Sequence, residues 1–324
     1  MKKIFYCISG IAFVIVGCWK ADITPPISLN ASTTNVERKC AASEVLEEQI
    51  AANPKLKKRM DDIERFTEIQ LTSVHTERLL SNGIIEIPVV VNVLFRTNAE
   101  NISLAQIQSQ IAVLNEDFSA TNADYNLVPA VFKPVGAGNI NIRFVLDNVI
   151  RKSTTVVRWS VNDAMKKSNL GGINPTSPTN KLNIWVVGDM GACLGYAQFP
   201  GGNIATDGAV IAHKYFGRNG TVVSPFNKGR TATHEIGHWL NLRHIWGDAI
   251  CGNDFVNDTP DHTLANIGCP LFPKKSICKG SQTMMTMNYM DYSNDACMYM
   301  FSFGQRARML SIFKEGGPRN SFAR

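Results

Sequence analysis

The hydrophobic positions of the chain follow two periods, one typical of strands and one typical of helices. Residues 84–95 are an apolar run rich in Ile and Val, and residues 140–146 alternate apolar with polar side chains, so both predict β-strands. Between them, Ser103 precedes a stretch whose apolar residues recur at helical spacing, which predicts a helix that begins there. The residues on its apolar face are Ile107, Ile111, Leu114 and Phe118.

The second half of the chain begins with two shorter apolar runs, at residues 182–187 and 209–212, which predict buried strands. A helix is predicted from Thr233 to about Asn241, and a last helix over residues 303–313. The region between these two helices has no strong periodic pattern. This order of strands and helices predicts an α/β (or α+β) fold.

The first residues of the chain predict a targeting segment. Lys2 and Lys3 precede an apolar run that is shorter than a membrane span, which is typical of a signal peptide over residues 1–17. Small residues before Cys18 also favour a lipoprotein signal, with Cys18 as the lipidated N-terminus and ordinary cleavage as the alternative. We expect a tether and pro-segment over residues 18–60 and the main domain over residues 61–324.

Composition and charge narrow the class of partner. The chain has 324 residues, 44% of them hydrophobic, which is enough for one large domain or two. Its net charge of +6 is modest, and Lys and Arg are scattered except at residues 55–59, so no nucleic-acid surface is expected. Residues 55–59 are either a solvated helix face or the site of a processing cut, and Arg319 also suits such a cut.

A histidine-rich motif carries the strongest chemical signal. His234 and His238 are four residues apart, so on a helix both imidazoles lie on one face and can bind one metal ion. His244 can join them if the helix stops near Asn241, because Asn tolerates the left-handed conformation that such a stop needs. Three histidines leave one zinc position open, and Glu235 can take a proton from a water there. The motif therefore predicts zinc-assisted hydrolysis.

The pattern H-E-x-x-H-x-x-N-x-x-H resembles the zinc signature of the metzincin metallopeptidases, with Asn241 where most members have Gly. The longer stretch HEIGHWLNLRHIWGD resembles the pappalysin family, particularly its small microbial members. Residues 288–292 lie where the Met-containing turn of a metzincin is expected. The resemblance implies a twisted, mostly parallel sheet backed by helices above the cleft, and an irregular, disulfide-stapled lower subdomain. It also implies a cleft-edge strand within residues 191–202 that pairs with an extended peptide.

The same resemblance implies roles for residues near the zinc. Glu235 is expected to be the general base, and Tyr292 to stabilise the oxyanion, with a purely structural tyrosine as the alternative. Met290 is expected to form an apolar floor under the zinc, although an ordinary core methionine would look nearly the same.

Export makes disulfides expected among the four cysteines near the Met-containing turn. Four cysteines allow three pairings, and the residues alone do not choose among them. The resemblance implies the pairs Cys251–Cys278 and Cys269–Cys297.

Cys40 lies in the N-terminal segment, two residues after Arg38. Pappalysin relatives have a comparable Arg-x-Cys element before the catalytic domain. The resemblance implies a latency switch, in which the Cys40 thiolate takes the fourth zinc position and keeps water out. A disulfide with Cys193 is the alternative.

Residues 254–261 are rich in oxygen donors of the kind that calcium prefers, without the pattern of an EF-hand. The resemblance implies a calcium ion held by Asp254, Thr259 and the carbonyl of Val256. A loop rich in Asx turns is the alternative.

Family members that cut on the amino side of Arg or Lys use an acidic residue just beyond the Met-containing turn. The resemblance implies Asp295 in this role, because a carboxylate at a pocket floor selects a cation by charge-assisted pairing. Asp291 is an alternative, and a solvated loop aspartate would have no such role.

The sequence thus predicts a zinc metalloendopeptidase, secreted or held at the cell surface as an outer-membrane lipoprotein, made as a zymogen and able to process itself. Proteins or peptides are the expected substrates, Zn²⁺ and Ca²⁺ the expected cofactors, and the chain is expected to be a monomer. Two other hypotheses stay open. One is a surface binding protein that keeps the fold without catalysis, and the other is a zinc hydrolase of non-peptide amides.

Overall fold

The computed structural model describes residues 37–71 and 83–322. Within them, the strands are β1 Ile85–Phe95, β2 Ile142–Ser153, β3 Leu182–Val187, β4 Gly195–Ala197 and β5 Ala209–Ala212. The α-helices are α1 Ala42–Ala52, α2 Lys55–Gln70, α3 Leu104–Ser119, α4 Arg230–Trp239 and α5 Phe303–Ser311. The expected signal peptide, Cys18 and the tether lie outside the described residues.

The strands form a single sheet in the order β2-β1-β3-β5-β4. All neighbours are parallel except β4, which pairs antiparallel with β5 at the sheet edge. The mostly parallel sheet that the family resemblance implied is therefore confirmed. Strand β3 is buried along its whole length, which explains why all its residues except Asn183 are apolar.

Each face of the sheet belongs to a different part of the core. Ile184 and Val186 of β3 join the larger cluster, which also contains the apolar faces of α3 and α4. Trp185 and Val187 alternate to the opposite face, where they join a second cluster that includes apolar residues of α1 and α2. The N-terminal segment is thus part of a packed layer.

Helix α2 changes the expected domain boundary. It runs without interruption across positions 60 and 61, where the sequence placed the start of the main domain. Lys57 and Lys58 lie on its solvated face and pair with acidic residues one turn later. In contrast, Arg319 is buried, its guanidinium pairing with Asp207 at 2.8 Å and lying 3.7 Å from the Trp239 ring centre. A cut at Arg319 would therefore require this anchor to open first.

The lower part of the structure, residues 248–302, is irregular, as predicted. Two disulfides hold it, Cys251–Cys278 and Cys269–Cys297, with Cα separations of 5.6 and 5.5 Å. The pairing implied by the family resemblance is confirmed. Nowhere in the described part of the chain is a helix both long enough and apolar enough to span a bilayer.

Candidate active site

Helix α4 carries the histidine motif and ends where the sequence predicted. Two residues after its last residue, Asn241 has a φ of 75°, which is the left-handed conformation that a helix stop requires. Leu242 N donates a hydrogen bond to Gly237 O at 2.9 Å and closes the helix end. The chain then turns and brings His244 back towards the helix.

Three imidazoles converge at one point. His238 Nε2 lies 3.2 Å from His234 Nε2 and 3.1 Å from His244 Nε2, and all three rings are buried. Nitrogen ligands of a tetrahedral zinc, each about 2.1 Å from the ion, are about 3.4 Å apart. With Cys40 Sγ, the set comprises four ligand atoms that all lie within 4.8 Å of one another. This donor set fits a single zinc ion.

Each imidazole is fixed by a hydrogen bond at its other nitrogen. The pairs are His234 Nδ1 with Tyr289 O at 2.7 Å, His238 Nδ1 with Leu242 O at 2.9 Å and His244 Nδ1 with Asp248 Oδ1 at 2.5 Å. Carbonyl and carboxylate oxygens only accept, so each Nδ1 carries the proton in this arrangement. Each Nε2 is then the nitrogen available to a metal.

Burial sets the protonation of the site. It lowers the pKa of His234 and of His238 well below the usual range, and the neighbouring imidazoles lower both further. Neutral imidazoles are the form that binds a metal. Burial also raises the pKa of Glu235 to about 8, although Cys40 and Arg38 act in the opposite direction.

The N-terminal segment crosses the cleft beside β4. Leu194 N donates to Lys39 O at 2.9 Å, and Ala41 N donates to Gly195 O at 3.2 Å. These bonds pair the segment with the edge strand in parallel orientation, centred on Cys40. The edge that the resemblance assigned to an extended peptide is therefore occupied by the protein's own chain.

Cys40 meets both residues expected to carry chemistry. Its thiol donates to Glu235 Oε2 at 3.3 Å. The Tyr292 hydroxyl accepts from Cys40 N at 3.3 Å and donates to Cys40 O at 3.1 Å. Cys40 and Cys193 are both free thiols, so the alternative of a disulfide between them is wrong.

Arg38 fills a buried pocket beside the cleft. Its Nη2 donates to Asp295 Oδ1 at 2.6 Å, its Nε to Ser293 O at 3.2 Å and its Nη1 to Thr231 Oγ1 at 3.2 Å. The guanidinium carbon also lies 4.8 Å from the ring centre of Phe226, which is within the range of a cation–π contact. The pocket therefore contacts a guanidinium from several sides.

Asp295 is held in place by the start of α4. Its Oδ2 accepts from Lys228 N at 2.8 Å and from Arg230 N at 3.2 Å, where the positive end of the helix dipole favours a carboxylate. The alternative pocket residue, Asp291, instead accepts from the backbone and side chain of Asn266 at 2.8 and 2.7 Å. Asp291 thus supports the lower loop, and Asp295 contacts the arginine.

Met290 is fully buried against α4. A Cβ on Gly237 would lie 2.4 Å from Met290 Sδ. Because glycine has no Cβ, Met290 can pack closely against the helix at this position, between His234 and His238 in the sequence. Met290 O also accepts from Ile245 N at 3.1 Å. The Met-containing turn is thereby fixed to both the helix and the segment that follows the third histidine.

The expected calcium ligands do converge. Thr259 Oγ1 lies 2.8 Å from both Asp254 Oδ2 and Val256 O, and Asp254 Oδ1 accepts from Val256 N at 3.1 Å. Burial raises the pKa of Asp254 to about 6. The same contacts satisfy an Asx-turn loop, so the geometry is compatible with both interpretations.

Sequence reasoning missed residues that support the histidines. Burial opposes ionisation of Asp248, but the hydrogen bond and charge of His244 outweigh it and lower the Asp248 pKa to about 2. A carboxylate so close in sequence to a candidate ligand was a usable signal. By contrast, the bond from Thr233 Oγ1 to Asp117 Oδ2 joins residues 116 positions apart and has no local signature.

Comparisons with known proteins agree with this geometry. The peptidase M43 family model, described as pregnancy-associated plasma protein-A, matches residues 178–314. An extracellular metalloprotease of Uncinocarpus reesii is 30% identical over 283 residues, covering 82% of this chain and 93% of the relative. A second extracellular metalloprotease, from Pyricularia oryzae, is 34% identical and covers 67% of this chain and 70% of the relative.

Two solved structures from Tannerella forsythia are also similar. A promirolysin mutant is 42% identical with a TM-score of 0.80, covering 88% of this chain and 97% of that chain. Mature mirolysin in complex with a cleaved peptide is 46% identical with a TM-score of 0.72, covering 75% and 96%. Together with the converging histidines, these matches show that the chain belongs to the pappalysin family, peptidase family M43, and is a zinc metalloendopeptidase.

Proposed function

We propose that this protein is an exported endopeptidase, made as a zymogen, that cuts peptide bonds on the amino side of Arg or Lys. The observation that carries the specificity is the buried pair of Arg38 and Asp295. The N-terminal segment already places a basic side chain in the pocket next to the histidines. A substrate arginine can replace it with no change in chemistry.

The contacts of the pocket favour Arg over Lys. The three nitrogens of Arg38 donate to three different acceptors, from Asp295, Ser293 and Thr231. The guanidinium of arginine is planar and can donate to several acceptors at once, whereas the ammonium of lysine is a compact charge that cannot reach all three of them. We therefore expect both residues to be accepted through the carboxylate, with Arg cleaved faster.

Each catalytic task falls to a residue of the described site. His234, His238 and His244 would hold the zinc, which when bound acidifies a water and polarises a carbonyl. Glu235 would take a proton from the attacking water and pass it to the leaving amine. The Tyr292 hydroxyl would donate a hydrogen bond to the oxyanion, as it now donates to Cys40 O. Met290 would support the site as an apolar floor.

Strand β4 would hold the substrate. The backbone of Gly195, and of Leu194 just before the strand, now bonds to the N-terminal segment. A peptide that takes this place would be kept extended by the same groups, whatever its side chains. Backbone pairing of this kind favours proteins and peptides over small amides.

Latency follows from three contacts of the N-terminal segment. Cys40 would take the fourth ligand position, while Arg38 fills the pocket and the segment covers β4. Farther from the site, Glu64 of α2 pairs with Arg308 through two hydrogen bonds, at 2.7 and 2.5 Å. We propose that α2 belongs to the inhibitory segment, which its contact with α5 helps to hold in place. The mature enzyme would then begin after α2.

Replacing Cys40 with serine should raise the activity of the uncut zymogen, because a hydroxyl is a much weaker zinc ligand than a thiolate. We expect a partial effect, since Arg38 and Glu64 still hold the segment. The initial rate on a peptide with an internal arginine measures it before any cut occurs. The matched control is Cys193→Ser, the other buried free thiol, which should leave latency unchanged. Equal latency of both variants would count against the switch.

We also propose a structural calcium ion in the loop of Asp254, Val256 and Thr259. Two buried oxygens and a hydroxyl meet there, and calcium would stabilise the ionised form of the buried carboxylate. Adding Ca²⁺ should raise the melting temperature of the wild type. The Asp254→Asn variant should lose most of this gain. If Ca²⁺ did not change the melting temperature, the loop would be explained by its Asx turns alone.

Export is proposed from the leader and from the relatives named extracellular metalloproteases. A lipid on Cys18 stays a prediction. Mass spectrometry of the protein recovered from producing cells would detect the lipid, or a free N-terminus after ordinary cleavage.

The experiment for the proposed function maps cleavage sites. Residues 19–324, activated with zinc present, are incubated with a denatured protein mixture, and the new N-termini are identified by mass spectrometry. We expect most of them to start with Arg, and a smaller number with Lys. Cleavage without basic preference would remove Asp295 from its role but keep the peptidase. Absence of any cleavage would leave a binding protein.

A further inference from the structure

The lower subdomain presents large apolar side chains to solvent, and the proposed function makes no use of them. Leu271 is 91% exposed and Ile277 is 79% exposed. They belong to a group that we call the lower patch, which comprises Ile250, Leu264, Ile267, Leu271, Phe272 and Ile277. Clusters of exposed apolar residues mark surfaces that bind something else.

Covalent and hydrogen bonds fix the lower patch in this exposed state. The disulfide Cys251–Cys278 joins the neighbours of Ile250 and Ile277. Thr263, next to Leu264, accepts from Cys251 N at 3.3 Å through its carbonyl and from Ile277 N at 3.0 Å through its hydroxyl. Three members of the patch therefore surround one rigid junction.

The other half of the lower patch is held in the same way. Gly268, next to Ile267, accepts from Asn294 N at 2.7 Å, and Cys269 is bonded to Cys297. Leu271 and Phe272 follow directly. Backbone bonds from Met284 N to Lys274 O at 2.8 Å then begin a short hairpin. Because this backbone is tied down, the side chains cannot collapse onto the core, and they stay presented.

The charged residues within the hairpin of the lower patch are all basic, while the exposed Asp261 borders it. Between His262 and Met290 the sequence has three lysines and no acidic residue. The lysines are Lys274, Lys275 and Lys279, all exposed. Protruding apolar side chains flanked by lysines match the interface of an anionic bilayer, where the apolar groups insert and the ammonium groups meet lipid phosphates.

We propose that the lower patch binds anionic membrane surfaces, independently of any lipid on Cys18. A protein partner would need hollows that match these exposed side chains, whereas a bilayer interface deforms around them. Gly268 also forms a β-bridge with Ser293, whose carbonyl contacts Arg38. Membrane binding through the patch would therefore bring the arginine pocket close to proteins at that surface.

The test is sedimentation of residues 19–324 with vesicles of equal parts phosphatidylglycerol and phosphatidylcholine, beside vesicles of phosphatidylcholine alone. We expect binding to the anionic vesicles that weakens as salt rises. The double variants Leu271→Ser/Ile277→Ser and Lys274→Gln/Lys279→Gln should each reduce the partition coefficient at least roughly tenfold.

Matched controls lie elsewhere on the surface. Val157→Ser/Leu170→Ser removes two other exposed apolar side chains, and Lys133→Gln/Lys214→Gln removes two other exposed lysines. Both should bind like the wild type. All variants should keep the wild-type melting temperature and, once activated, its rate on a soluble peptide, which separates this proposal from the peptidase itself. Failure to bind anionic vesicles, or binding that survives both patch variants, would overturn it and leave a protein as the partner.

Discussion

Replacing Glu235 with alanine is expected to abolish peptide hydrolysis while the fold and the zinc site remain. Glu235 is buried beside the three histidines, and its Oε2 accepts from the Cys40 thiol, a partner that would leave with the N-terminal segment on activation. Removing the carboxylate therefore breaks little within the mature domain. A general base contributes roughly 10²- to 10⁴-fold to the rate, and we expect a loss at the upper end of that range.

The protonation of Glu235 supports this expectation. Burial raises its pKa to about 8 in the latent state, so below that pH the carboxyl is mostly protonated and is a poor base. We expect departure of the N-terminal segment to admit water, which would lower the pKa and make the carboxylate available near neutral pH. We therefore expect the segment to suppress the base as well as to block the fourth ligand position.

The measurement is kcat/KM of the activated protein on a peptide with an internal arginine, together with zinc content and melting temperature. Glu235→Gln should be as inactive as Glu235→Ala, because an amide fills the space without accepting a proton. Glu86→Ala, an exposed glutamate on β1, is the control and should be fully active. A Glu235→Ala protein within tenfold of wild type would assign the base to another group.

The parallel core could be predicted from sequence because its signals are local. Residues 84–95 and 182–187 are mostly apolar, as expected of strands buried on both faces. The edge strand β4 is only three residues long, and Gly195 and its neighbours carry no periodic pattern. Its strand conformation comes from pairing with β5, so composition could not reveal it, and only the family resemblance placed it.

The zinc site divides in the same way. The placement of His234 and His238 on one face depends only on helix geometry. Asn241 has the left-handed conformation that ends the helix, and the chain then turns back and places His244 near the other two histidines. Helix α2 crosses the predicted boundary at residues 60 and 61, and the contacts that join it to the rest of the protein are distant in sequence. Thr67 accepts from Asn241 Nδ2 at 3.2 Å across 174 positions, a contact that no local pattern encodes.

The Asp295→Asn substitution should remove the preference for basic residues. The carboxylate is buried and pairs with a guanidinium at 2.6 Å, and leaving a buried charge without its partner costs about 3–5 kcal/mol. We expect kcat/KM for an arginine peptide to fall roughly 10²- to 10³-fold. The rate on a peptide with a neutral residue at that position should change little, so the ratio of the two rates is the readout. A variant that merely folds poorly would lower both.

The matched control is Asp189→Asn, because Asp189 forms a similar pair with Arg158 on the exposed surface, at 2.7 Å. It should leave the ratio unchanged, since exposed pairs contribute little. Asp295→Asn should also weaken latency, because Arg38 of the uncut protein loses the same carboxylate. Loss of arginine cleavage and partial release of the zymogen should therefore appear together. If specificity changed while latency stayed intact, the N-terminal segment would be held by Cys40 and α2 alone. Arg38 would then occupy the pocket without contributing to latency.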